Sequence, residues 1–158
     1  MRYLAVLLLS IMLTACGFQL RDSYQLPPQL ERVHIDAAAF SEIRQVVIQR
    51  FELAGAEVVD DSEALTVRII SDALDRRALS LSRSGQVAEY ELIYTLWYEL
   101  IRRDGTAAPA QRIEVYRDYQ DDPNFALAKT REREVLVAEM REDAARLLLR
   151  QVITQLAE

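Results

Sequence analysis

From Gln86 to Arg102 the chain alternates with a period of two. One set of positions reads Ala88, Tyr90, Leu92, Tyr94, Leu96, Tyr98 and Leu100; the other reads Val87, Glu89, Glu91, Ile93, Thr95, Trp97, Glu99 and Ile101. Successive side chains of a strand point to opposite faces, so the pattern predicts a long strand whose first set faces a core. Such a strand needs paired neighbours and a cover over its apolar face before it is stable. Both neighbours are legible. Ser84-Gly85 and Asp104-Gly105 are turn signals, and each separates this run from another alternating one, Ala64 to about Ser82 before it and Arg112 to Tyr119 after it. The three runs read as an antiparallel meander.

The cover comes from two helical patterns. Ser41 is placed to cap a helix over Glu42–Ala54, with Ile43, Val46, Val47 and Phe51 at helical spacing and Gly55 as its stop. Asp122-Pro123 opens a long second helix that runs to Leu156, with Leu136, Met140, Ala144, Leu147 and Leu148 as its apolar stripe. A short alternating segment, Arg32 to Asp36, supplies a first strand with Val33 and Ile35 on one side and His34 on the other. Glu57 to Val59 reads as a lead into an acidic turn. The expected fold is α+β, in the order β-α-β-β-β-α, with two helices on one face of a four-stranded, mostly antiparallel sheet.

Composition closes several functional classes. The chain has 158 residues, 51% of them apolar, which suits one compact domain. One Cys and one His cannot build a zinc site, a disulfide framework or a CxxC centre. A net charge of −6 argues against nucleic acid as a partner, because phosphate-backbone binding relies on many cations. No Gly-rich phosphate loop and no GxSxG nucleophile motif is present, so neither an enzymatic activity nor a cofactor is expected. Lys129 is the only lysine; the other cationic side chains, His34 aside, are guanidiniums, which suit forked recognition of phosphate or carboxylate.

Residues 2–16 have the layout of a secretory signal: Arg2, the apolar run Leu4 to Leu13, then Thr14-Ala15-Cys16. The run is too short to span a bilayer. Leu13-Thr14-Ala15-Cys16 resembles a bacterial lipobox, which implies cleavage before Cys16 and acylation of that residue; an ordinary signal peptide is the alternative. The organisation expected is a signal peptide at 1–15, the lipidated Cys16 and an extended tether through 30, marked by Pro27-Pro28, and a single domain at 31–158. Gly17 after the cysteine, rather than Asp, favours the outer membrane.

Among candidate site residues, Arg83 stands beside Ser84-Gly85 at the tip of the long hairpin, where it gains little from local pairing, and Arg76 and Arg77 lie on the same hairpin. A solvated loop charge is the plain alternative. Lys129, Arg131 and Arg133 alternate with Glu132 and Glu134, as on any exposed helix face. His34 has no nucleophile to serve and reads as structural. Tyr90, Tyr94 and Tyr98 read as core rather than as a ligand platform, whereas Trp97 faces the other side, beside Ile93 and Ile101, where a partner has room to dock.

Three segments then carry a resemblance: Cys16-Gly17-Phe18-Gln19-Leu20-Arg21, Arg83-Ser84-Gly85-Gln86-Val87-Ala88-Glu89-Tyr90, and Phe125-Ala126-Leu127-Ala128-Lys129. In this order and spacing the chain resembles the LptE family of lipopolysaccharide-assembly lipoproteins. The resemblance implies an outer-membrane lipoprotein, anchored to the inner leaflet with its body in the periplasm, lodged as a plug in the lumen of the LptD β-barrel during insertion of lipopolysaccharide. It also implies lipopolysaccharide contacts at Arg83 and Lys129, to which Arg76, Arg77 and Arg131, as nearby cations, are added as candidate support. A purely structural plug and assembly chaperone, or a periplasmic adaptor with another partner, are the alternative readings.

Overall fold

The computed structural model describes residues 26–83, 85–120 and 125–157. The signal, Cys16 and most of the tether lie outside the described residues, as does the Asp122-Pro123 cap. The last residues of the expected tether, Pro28–Leu30, form a 3-10 turn, and Leu30 is fully buried in the core.

Strand β1 (Arg32–Asp36) leads into helix α1 (Glu42–Leu53), whose Ile43, Val47 and Phe51 fall one turn apart and are fully buried. Gly55, at φ 98°, ends the helix. Its N–H donates to the Glu52 carbonyl (2.9 Å) and the Ala56 N–H to the Phe51 carbonyl (3.0 Å), a Schellman stop that reverses the chain. The start differs from expectation: Ser41 occupies the cap position, but its hydroxyl is buried and makes no hydrogen bond, so it does not cap with its side chain.

The reversal brings a two-residue strand, β2 (Glu57–Val58), back beside β1, in parallel. Three long strands follow, β3 (Leu65–Leu81), β4 (Val87–Ile101) and β5 (Gln111–Gln120), joined as antiparallel neighbours. The sheet order is β2-β1-β3-β4-β5. Two expectations are thereby corrected. The sheet has five strands rather than four, because two residues are too few to show an alternation. It is mixed rather than mostly antiparallel, because β1 runs parallel to both β2 and β3, a pairing that needs the crossover α1 provides.

Helix α2 (Ala126–Ala157) completes the chain. Both helices cover the face that carries Val33, Ile35, Val67, Leu92, Leu96 and Leu100. On α2 the buried stripe is Val137, Met140, Ala144, Ala145, Leu148, Leu149 and Val152; Leu136 and Leu147 flank it and are only partly buried. Tyr94 and Tyr98 are fully buried between sheet and helices. Each satisfies its hydroxyl, as a buried phenol must: Tyr94 donates to Asp72 (2.7 Å), and the Tyr98 hydroxyl lies 2.9 Å from the side-chain amides of Gln111 and Gln151.

Candidate functional site

The β3–β4 hairpin is longer than its support. β1 pairs with β3 only as far as Arg68, so among the described residues the rest of β3 has β4 as its sole strand neighbour. Register shifts interrupt the ladder between Ile69 and Ser71 and again around Ala78 to Leu81. The far part of β3 is consequently exposed on both faces, with Leu79 at 47% and Leu81 at 66%.

Its turn is built by Ser82 and Gly85. The Ser82 N–H donates to the Gln86 carbonyl (2.7 Å), the Gln86 N–H reaches back to the Ser82 hydroxyl (3.2 Å), and Gly85 adopts φ 79°, a backbone state that side chains disfavour. Arg83 stands in this turn, exposed and without an ion pair among the described residues.

The supporting cations are placed differently. Arg76 shares the helix-covered side of the sheet with Tyr90, over whose ring its guanidinium lies at 4.9 Å. Arg77 points to the opposite face and is held by Glu91 at 2.6 Å. Arg131 is exposed on α2. Lys129 is only 21% exposed: its ammonium meets Glu132 at 2.8 Å and lies 5.6 Å from the Tyr119 ring, while its carbonyl accepts the Tyr119 hydroxyl at 3.0 Å. It opens on a small groove of about 380 Å³ with Leu79, Glu89, Asp118, Gln120 and Glu132, so carboxylates surround this one ammonium.

Arg83 and Lys129 belong to the same end of the molecule. Lys129 contacts Tyr119, which pairs with Tyr90, which pairs with Ala78, and Arg83 follows Ala78 by five residues. At a strand rise of about 3.3 Å the two lie on the order of 15 Å apart along the strand direction.

On the uncovered face, Arg68 bridges Asp36 (2.7 Å) and Glu99 (2.9 Å), and these bonds hold its guanidinium above the ordinary arginine pKa. Trp97 is exposed there, with Arg112 at 5.6 Å over its ring, and Tyr116 donates to Glu114 (2.8 Å). His34 Nδ1 lies 3.0 Å from the Val59 carbonyl and ties β1 to the segment after β2.

One cluster escapes the sequence reading. Arg117, at a helix-facing position of β5, and Arg146 both engage Asp143, and Arg150 lies one turn further along α2. The signals were a charged residue in the inward register of a strand and the four-residue spacing of two arginines.

Among the described residues no three His, Cys, Asp or Glu side chains come together as a metal site, and no helix is long and apolar enough to cross a membrane.

Comparison with known proteins accounts for this arrangement. The family model LptE, Lipopolysaccharide-assembly, matches residues 30–152. The LPS-assembly lipoprotein LptE of Pectobacterium atrosepticum is 32% identical over 154 residues, which cover 94% of this chain and 83% of that one. The crystal structure of the rare lipoprotein B from Shewanella oneidensis superposes with a TM-score of 0.72 at 37% identity, covering 80% of this chain and 96% of that one. The solution structure of a lipoprotein B from Nitrosomonas europaea does so with a TM-score of 0.74 at 32% identity, covering 89% and 93%. The LptE family is one of lipopolysaccharide-assembly lipoproteins and not of enzymes. A family model matching most of the folded domain, and relatives alike over nearly the full chain, place this protein in the LptE family of lipopolysaccharide-assembly lipoproteins.

Proposed function

We propose that the protein is an outer-membrane lipoprotein, anchored through Cys16 after removal of residues 1–15, that plugs and helps assemble the LptD barrel and binds lipopolysaccharide as it passes to the outer leaflet. The observation that carries ligand binding is Arg83: an exposed guanidinium without an ion pair among the described residues, at the tip of a hairpin that also exposes Leu79 and Leu81. A ligand that joins phosphates to acyl chains offers partners to both, through charge-assisted hydrogen bonds and apolar burial. Lys129 supplies a second cation at the same end, and to serve it must exchange Glu132 for the ligand. In this role the two cations displace the divalent ions that bridge neighbouring lipopolysaccharide molecules, and so keep the ligand dispersed.

That carboxylate company favours a second reading, in which the chain is a structural plug and chaperone of the barrel and Lys129 only fastens α2 to β5. Charge reversal separates the two. With full-length lipoprotein in detergent micelles, Arg83→Glu combined with Lys129→Glu is expected to weaken lipopolysaccharide binding by at least about tenfold while the barrel still co-purifies. Unchanged lipopolysaccharide binding would leave only the structural plug.

A further inference from the structure

The β5 edge of the sheet is unpartnered among the described residues, and it differs in chemistry from the hairpin. Among the described residues β5 pairs with β4 alone, so its other edge, along Gln111–Gln120, presents main-chain groups with no strand beside them. Between this edge and α2 runs a groove of about 620 Å³, with Val115 and Leu147 as its apolar lining. Arg117, Arg146 and Arg150 also line it. The carboxylate available to them is Asp143, which Arg117 and Arg146 share, and Arg150 makes no ion pair among the described residues. Glu114, at the rim, belongs to the opposite face, where Arg112 and the Tyr116 hydroxyl hold it. A chain of net charge −6 therefore keeps a local surplus of guanidinium beside a free strand edge.

We propose that this edge takes an extended acidic segment of a partner protein as a sixth strand. The spacing supports this occupant. Arg146 and Arg150 are four residues apart on a helix, a rise of about 6 Å, and alternate side chains on one face of a strand repeat at about 6.8 Å. Carboxylates at every second position of an added strand thus meet successive guanidiniums, while its main chain completes the ladder of β5. The free edge of β3 is less suited. Three of its charges are already engaged within the sheet, Asp72 by Tyr94, Arg76 over Tyr90 and Arg77 by Glu91, in the manner of an edge blunted against pairing. This docking does not depend on lipopolysaccharide binding at Arg83.

The test uses full-length lipoprotein in dodecyl maltoside and a synthetic peptide alternating Asp and Val, with a Lys–Val peptide and inorganic phosphate as controls. The acidic peptide is expected to bind and to slow amide exchange along β5 by about tenfold or more, and Arg146→Glu with Arg150→Glu to weaken it by at least about tenfold. Arg150→Glu alone, which breaks no ion pair among the described residues, is expected to weaken it severalfold and serves if the double variant does not fold. Equal binding of the Lys–Val peptide, no protection of β5 amides, or full displacement by phosphate would overturn the proposal, the last by reducing the groove to a site for small anions.

Discussion

The Tyr119 hydroxyl donates to the Lys129 carbonyl at 3.0 Å while the Lys129 ammonium lies 5.6 Å from the Tyr119 ring, so β5 and the beginning of α2 are joined twice by one pair of residues. The phenol is buried, which strengthens both links. Tyr119→Phe is expected to lower stability by about 1 kcal/mol and to speed amide exchange selectively in the first turns of α2. A uniform change in exchange along the helix would contradict this local role.

The buried phenols set an alkaline limit on stability. Burial raises Tyr98 from the ordinary value of about 10 to about 12. Burial first, and then the hydrogen bond to Asp72 and its charge, raise Tyr94 further. In both, the folded state favours the neutral phenol, so the stabilisation is complete below pH 10 or so and is lost as pH rises, for Tyr98 through about 12 and for Tyr94 higher still. Urea midpoints are expected to fall steeply over that window, and less steeply in Tyr94→Phe, which has one such titration fewer.

Depth in the core separates two leucines of equal size. Leu148 is fully buried beneath α2, and Leu148→Ala is expected to cost about 2–5 kcal/mol. Leu74, at the free edge of β3, is 42% exposed, and the same truncation there is expected to cost about 1 kcal/mol or less. Denaturant midpoints of the two variants decide the matter.

At the hairpin tip, Gly85 has open space where a Cβ would stand, so its requirement is conformational rather than steric. Gly85→Ala forces a side chain into φ 79° and is expected to cost about 1 kcal/mol, with Gly85→Asn milder. Equal thermal midpoints for all three would show that the turn relaxes without strain.

How much of this was legible in the sequence depended on the range over which each signal acts. The alternation from Gln86 to Arg102 fixed β4 and both of its antiparallel neighbours, because period and turn residues are local. The inward set of that run did place Tyr94 and Tyr98 in the core. Strand β2 was invisible, since Glu57–Val58 carries no period, and so was the parallel pairing of β1, which follows from where α1 returns the chain. At the candidate site the sequence showed that Arg83 sits on a turn, but not that Lys129 is engaged by Glu132 and Tyr119. Nor did it show that Arg117 meets Asp143 across 26 residues; both arrangements exist only once α2 lies against β5.

A chain that plugs a barrel, as proposed above, has to come out of the membrane with that barrel. In mild-detergent affinity purification of the tagged lipoprotein from its native membrane, a large β-barrel is expected at about one copy per lipoprotein, as an obligate plug requires. Recovery of the lipoprotein without a stoichiometric barrel would contradict that role.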